Sequence, residues 1–336
     1  MRVAVLSPVA WRTPPRHYGP WEQVASNIAE GMINKGVQIS LFATGDSITQ
    51  GSLESVCATG YEEDRTQDAK VLECLHISNL MEKADQFDLI HNNFDFLPLT
   101  YSGLIKTPVI TTIHGFSSSR IIPVYKKYNK TSHYVSISNA DRSAELDYLG
   151  TVYNGLNVSE FAFTEKADDY LIYFGRIHHD KGAAEAIQIA RQTNRRLLMA
   201  GIIQDANYYR EKVEPFIDNE QIVYVGHAGP EKRQELLGKA AALLHPINFN
   251  EPFGMSVAEA MLCGTPVIAF NKGSMPELIK DQETGFLVNT VNEAAEAVSN
   301  ITSINRQKCR DWAKANFSSE KMVDDYYRLY QQILGQ

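Results

Sequence analysis

A chain of 336 residues, 44% hydrophobic and 21% charged, is long and apolar enough for two hydrophobic cores, which excludes intrinsic disorder as its native state. The formal net charge of -8 argues against broad nucleic-acid binding, which needs a basic face to neutralise phosphates. Cys57, Cys74, Cys263 and Cys309 lack CxxC spacing, so they suggest neither a zinc site nor a disulfide framework, and a reducing cytoplasm is the expected setting. No run approaches the about 18 apolar residues of a spanning helix, and Arg2–Ser7 is too short for a signal-sequence core.

In chain order, short β-rich runs alternate with helical patterns, the signature of parallel sheets covered by helices, so the class is α/β. The first series predicts strands at Val3–Ser7, Gln38–Ala43, Leu89–His91, Val109–Ile113 and Tyr134–Ser138, with helices over Gln23–Lys35 and Ala140–Leu149. Gly45–Gln67 lacks periodicity and reads as a long, partly mobile excursion. A turn at Val152-Tyr153-Asn154-Gly155 closes that half, and Asn157–Asp169 is the expected crossing. The second series predicts strands at Tyr170–Phe174, Arg196–Ala200, Ile222–Val225, Ala242–His245 and Pro266–Ala269, with helices over Ala183–Gln192 and Ser256–Cys263. Two doubly wound sheets fit this better than one, and ligands of such folds sit at the carboxyl ends of the strands, so a cleft between the two is the expected site.

Four segments carry chemistry. Asn250-Glu251-Pro252-Phe253-Gly254-Met255-Ser256-Val257-Ala258-Glu259 sets two carboxylates eight positions apart around a helix start. Carboxylates accept hydrogen bonds from sugar hydroxyls, and the first amides of a helix favour an anion such as a diphosphate. Gly175-Arg176-Ile177-His178-His179-Asp180-Lys181-Gly182 holds two cations five apart on a strand-to-helix turn, where Arg176 offers a fork and Lys181 a compact charge to one anion. Read alone it is equally a solvated basic turn. His178 and His179 are expected to be surface histidines, because neighbouring side chains on a turn need not converge and no matching ligand spacing follows. No Asp-x-Asp element occurs, so no metal is expected and positive charge falls to Arg176 and Lys181. His114, at the carboxyl end of Thr111-Thr112-Ile113, lies where a ligand edge would be, although a lone histidine is usually structural. In His17-Tyr18-Gly19-Pro20-Trp21-Glu22, Gly19 allows close approach and Pro20 suits a first helical position. The preceding Trp11–Arg16 mixes aromatics and cations, so Trp11, Arg16 and Tyr18 are candidates for the acceptor side, or for a plain surface loop.

Together these segments make the chain resemble, over nearly its whole length, a retaining glycosyltransferase of family 4 (glycosyltransferase group 1) with the GT-B fold of two Rossmann-like domains. The family's Gly-Arg-x4-Lys-Gly element appears as Gly175–Gly182 and its Glu-x7-Glu element as Glu251 to Glu259. Smaller pieces are Gly264-Thr265-Pro266-Val267, Gly273-Ser274-Met275-Pro276-Glu277 and Thr284-Gly285-Phe286-Leu287-Val288. The resemblance implies an acceptor domain over 1–157 joined by a returning helix over 318–336, and a donor domain over 158–317. It implies that Arg176 and Lys181 bind the donor diphosphate, Glu251 the transferred sugar and Glu259 the ribose. Phe253, Gly254 and Met255 would offer amides, His114 would lie beside the reacting carbon, and Gly19 would line the junction of donor and acceptor. Pro20 replaces the second glycine of the family's Gly-Gly pair and removes an amide there.

The implied reaction moves a sugar from a nucleoside diphosphate sugar to an acceptor hydroxyl, with no cofactor beyond that co-substrate. The acceptor is a sugar, a lipid-linked molecule or a small molecule, and Arg120–Tyr128 could touch a membrane surface. A non-catalytic sugar-nucleotide binder of the same fold is the rival from another class. A nicotinamide dehydrogenase is weaker, because Ser7-Pro8-Val9-Ala10 has no Gly-x-Gly-x-x-Gly fingerprint.

Overall fold

The structure, a computed structural model, describes residues 1–17, 19–116 and 118–335. The chain divides into two compact units, Met1–Gly155 with Ser319–Gln336, and Leu156–Ser318. Leu156 already belongs to the second unit, because its N–H donates to the Phe317 carbonyl at 2.9 Å and it bridges to Ser318.

In the first unit seven strands form one parallel sheet: β1 (Arg2–Leu6), β2 (Gln38–Phe42), β3 (Ser52–Glu54), β4 (Leu89–Asn92), β5 (Val109–Ile113), β6 (His133–Ser136) and β7 (Tyr148–Thr151). Their order is β3-β2-β1-β4-β5-β6-β7. Val3 sits opposite both Ile39 and Leu89. Every residue of β4 and β5 is buried, as expected where helices cover both faces. Alternation then sorts β1 by face. Val3 and Val5 pack with Val24, Ile28 and Met32 of α1 (Pro20–Asn34) and with Met322, Val323, Tyr326 and Tyr330 of the C-terminal helix Ser319–Leu334. Ala4 and Leu6 pack instead with Leu72, Ile77 and Leu80 of α2 (Ala69–Met81). Each such aliphatic side chain contributes about 1.5–3 kcal/mol when fully buried.

Two expectations need correction here. No helix forms over Ala140–Leu149. Side chains capture its backbone instead: Asp141 N–H donates to Ser138 Oγ (3.1 Å), Ser143 N–H to the Tyr148 hydroxyl (2.9 Å) and Asp147 N–H to Asn129 Oδ1 (2.9 Å). Tyr148–Thr151 then joins the sheet beside β6. The Gly45–Gln67 excursion contains β3 and is tied to the body by Ile48 N–H to Thr13 O (2.9 Å) and Tyr61 N–H to Val9 O (3.2 Å). Helix α2 escapes the pattern search because Val71 and Leu75 are exposed while Leu72 and Leu80 are buried, which blurs the stripe. Its start was legible, since Asp68 accepts from the N–H groups of Lys70 and Val71 at 2.9 and 3.1 Å.

The second unit is a six-stranded parallel sheet: β8 (Tyr170–Phe174), β9 (Arg196–Ala200), β10 (Ile222–Gly226), β11 (Ala242–His245), β12 (Val267–Phe270) and β13 (Gly285–Val288), in the order β10-β9-β8-β11-β12-β13. This is the doubly wound order, and its switch point lies between β8 and β11. The helices are α3 (Ile122–Tyr128) in the first unit, and α4 (Ala183–Gln192), α5 (Ala206–Tyr208), α6 (Pro230–Lys239), α7 (Met255–Leu262), α8 (Met275–Leu278), α9 (Val291–Ser299) and α10 (Arg306–Phe317) in the second. Strand β13 was not among the predicted strands, being only four residues long and opening on glycine.

Candidate active site

In the second unit the candidate residues Arg176, Lys181 and Glu251 lie beyond the carboxyl ends of β8 and β11, on either side of the switch point. Beyond β8, Arg176 donates from its guanidinium to the Gln204 side chain, while its carbonyl accepts from the Tyr173 hydroxyl at 2.7 Å. A short turn over His179–Lys181 then runs into Gly182, whose φ of 72° begins α4. A Cβ at Gly182 would lie 1.9 Å from the Pro246 carbonyl oxygen, so only glycine lets the two loops approach this closely. That approach brings the Lys181 ammonium onto Glu251 Oε2, with the two side chains 15% and 11% exposed. Lys181 Nζ also lies 4.7 Å from the centre of the Phe249 ring.

Burial pushes the Glu251 carboxyl up, and the neighbouring His245 ring and Lys181 ammonium together outweigh it, holding the group below the usual carboxylate range. At 3.8 Å the His245 contact is too long for a hydrogen bond, so the Lys181 contact carries most of that stabilisation. The main chain of Glu251 is braced from β12 onwards. Ser274 N–H donates to the Glu251 carbonyl at 3.0 Å, Ser274 Oγ to the Phe253 carbonyl at 2.5 Å, and a Cβ on Gly273 would fall 2.3 Å from Glu251 N. Gly254, with φ of 97°, turns the chain into α7 at Met255. The first amides of α7 have no acceptor within the helix and suit an anion. The Phe253 ring is buried, edge-on to Phe317.

Glu259 lies inside α7, 5% exposed, and its Oε1 accepts from Arg233 at 2.9 Å. Burial raises its pKa, and Arg233 offsets this only in part. The residue expected to hold ribose is therefore already engaged with Arg233. The structure thus joins Lys181 to Glu251, turns Arg176 to Gln204 and pairs Glu259 with Arg233. Gln204, His245 and Arg233 went unnoticed in the sequence, since each lies far from its partner along the chain.

In the first unit His114 follows β5 and is 8% exposed. Its ring stacks on Trp21 with centres 5.4 Å apart, and its Nε2 lies 3.1 Å from Asn93 Oδ1. Burial lowers its pKa to about 3, so the ring is neutral. His114 Nδ1 and Asn93 Nδ2 are buried without hydrogen-bond partners among the described residues. Buried polar atoms are nearly always paired, so both atoms keep hydrogen-bonding capacity to spare. Asn93 was missed, although it directly follows β4 at the corresponding switch point.

Gly19, with φ of 149°, precedes Pro20 at the start of α1, where the proline stands in the first turn as expected. Three residues later Glu22 is 3% exposed and accepts from the Trp11 N–H at 3.3 Å. Burial raises its pKa to about 7. Arg16 forms ion pairs with Asp46 (3.0 Å) and Glu63 (2.9 Å), so its charge is matched within this unit. Tyr18 lies outside the described residues. In the segment considered for membrane contact, Ile122 and Tyr125 point into the core, and Lys126 pairs with Glu145 at 2.6 Å. No helix among the described residues is long and apolar enough to cross a membrane.

Two units, each built on a doubly wound parallel sheet, give the GT-B fold. Residues 159–318 match the model of the glycosyl transferases group 1. It is 22% identical to the uncharacterized glycosyltransferase MJ1607 of Methanocaldococcus jannaschii, across 98% of this chain and 94% of that protein. In fold it is similar to sucrose-phosphate synthase from Thermosynechococcus elongatus, with a TM-score of 0.80 at 18% identity over 100% of this chain and 99% of that one. It is also similar to Anabaena Alr3699/HepE in complex with UDP-glucose, with a TM-score of 0.75 at 17% identity over 99% of this chain and 100% of that one.

Proposed function

We propose that the protein transfers a sugar from a nucleoside diphosphate sugar to an acceptor hydroxyl, with retention at the anomeric carbon. The observation that carries this reading is the buried contact of Lys181 with Glu251 at the strand ends of the second unit, next to the start of α7. The UDP-glucose bound to HepE supports the same donor class. Lys181, Arg176 and the first amides of α7 take the diphosphate, and the Glu251 carboxylate takes hydroxyls of the transferred sugar. These groups supply the positive charge at the diphosphate without a metal.

As the bond from the anomeric carbon to the phosphate oxygen breaks, its electrons go to the diphosphate, where cations and amides stabilise them. The acceptor oxygen bonds to the same face of that carbon, and its proton passes to the departing phosphate oxygen. His114, kept neutral, donates or accepts a hydrogen bond at the sugar, and Asn93 supports it. Glu251 is paired with a lysine, which suits a ligand role better than that of a nucleophile.

The test is a panel of nucleotide sugars, UDP-sugars first, read by thermal protection and by nucleotide release with and without sugar acceptors. The expected result is a selective donor that both protects and is consumed. Protection without turnover on any acceptor would favour the non-catalytic binder, and the absence of both would overturn the proposal.

A further inference from the structure

We propose that His178, His179 and Asp205 form a binding site for a divalent transition metal of the zinc class, tying the loop after β8 to the loop after β9. One ligand atom from each of the three residues lies within 4.8 Å of the others, and the two imidazole rings have centres 4.3 Å apart. Ligands of one zinc ion, each bonded at about 2.0–2.1 Å, stand roughly 3.3 Å apart in a tetrahedron. His179 has a side chain 63% exposed and is free to turn through the remaining gap.

The backbone beneath the three residues is already set. Ile177 and Ile203 bridge, Ile177 N–H donates to Ile202 O at 2.8 Å, and the N–H groups of Gln204 and Asp205 both lie 3.2 Å from the Ile177 carbonyl. Asp205 Oδ1 accepts from the N–H groups of Asn207 and Tyr208, each at 3.0 Å, which fixes its side chain.

Asp180 supplies the outer partner that metal-bound imidazoles commonly have. Its Oδ1 lies 2.8 Å from His179 Nε2, so the proton sits on that nitrogen and Nδ1 keeps its lone pair. His178 Nδ1 faces the Asp180 main-chain N–H at 3.3 Å and the Asp180 Oδ2 at 3.4 Å. Giving up the bond it accepts from the Asp180 N–H and moving its proton to Nδ1, towards that carboxylate, frees His178 Nε2 as a ligand. Two imidazoles and one carboxylate suit zinc, whereas magnesium prefers oxygen ligands and retained water. A bound ion would restrain the same pair of loops that the Arg176–Gln204 contact spans.

The test is calorimetric titration of tag-free protein with zinc chloride, and separately with magnesium chloride. The expected result is one equivalent of zinc per chain and no competing magnesium. Asp205→Asn, which keeps the helix cap, and the double variant His178→Ala/His179→Ala should each abolish that binding. Asp180→Asn should weaken it about 10–100-fold. No zinc binding by wild type, or binding unchanged in the folded double variant, would overturn the proposal. Because these readouts use metal alone, either result leaves the donor panel to decide the transferase reading separately.

Discussion

The two units present opposite electrostatic solutions at their strand ends. In the second, Lys181 and Glu251 are nearly buried and form an ion pair, which holds the Glu251 carboxyl below the usual range. In the first, His114 is buried with no carboxylate beside it and is forced to be neutral. His91 sharpens the contrast within the first unit, since burial also lowers its pKa to about 3. Its Nδ1 meets the Tyr330 hydroxyl at 2.5 Å and its Nε2 meets Thr112 Oγ1 at 2.7 Å. Both His91 nitrogens are satisfied, whereas one of His114 is left open. Buried His76 also keeps an unpartnered Nδ1, so an open nitrogen separates His114 from His91 but does not by itself mark a site histidine.

The largest expected effect breaks the charged side. Lys181→Ala removes a charge-assisted hydrogen bond of roughly 1.5–3 kcal/mol, so product formation should fall by about one to two decades. It also strands a buried carboxylate, which costs about 3–5 kcal/mol in folding stability. Adding Glu251→Gln should recover much of the stability in denaturant titrations but none of the activity. Full recovery of turnover would contradict the assignment.

Next, Gly273→Ala would drive a methyl group into the backbone of Glu251. A destabilisation of about 1–3 kcal/mol is expected, with weaker donor protection in a thermal shift assay. On the neutral side, His114→Ala should lower transfer about fivefold for a net hydrogen bond near 1 kcal/mol. His91→Ala should instead lower the unfolding midpoint and leave the rate per folded molecule unchanged. Equal effects of the two variants on both readouts would erase the distinction.

A further effect is a pH dependence in which two kinds of buried group pull in opposite directions. Glu22 is raised from 4.5 to about 7, so its contribution to stability is fully present below about 4.5 and is lost as pH rises through 7. His91 and His114 are lowered from 6.5 to about 3, so their contribution is present above 6.5 and is lost as pH falls towards 3. The unfolding midpoint of Glu22→Gln, measured against wild type, should therefore improve from about pH 5 to about pH 8.

Much of the second unit was legible because its strands are nearly continuous apolar runs: Tyr170–Phe174, Arg196–Ala200 and Ala242–His245 appear as read. The first unit was harder. Over 139–147 polar side chains captured the backbone that a helix would have used, and α2 presents apolar residues on more than one side. The candidate residues were recognisable from type and spacing, but their partners were not. Asn93, Gln204, His245 and Arg233 carry no local pattern, and His178 with His179 was set aside because spacing along a turn does not reveal convergence.

Composition, hydrophobic periodicity and the order of the motifs were enough for the α/β class, the two series of strands and the segments that carry the candidate charges, because these follow from local residue type. Which charges pair, which histidines are buried and which loops meet depended on the folded sheets. Parallel strands joined by crossovers bring together residues such as Lys181 and Glu251, 70 positions apart, and no local rule of the chain encodes such a contact.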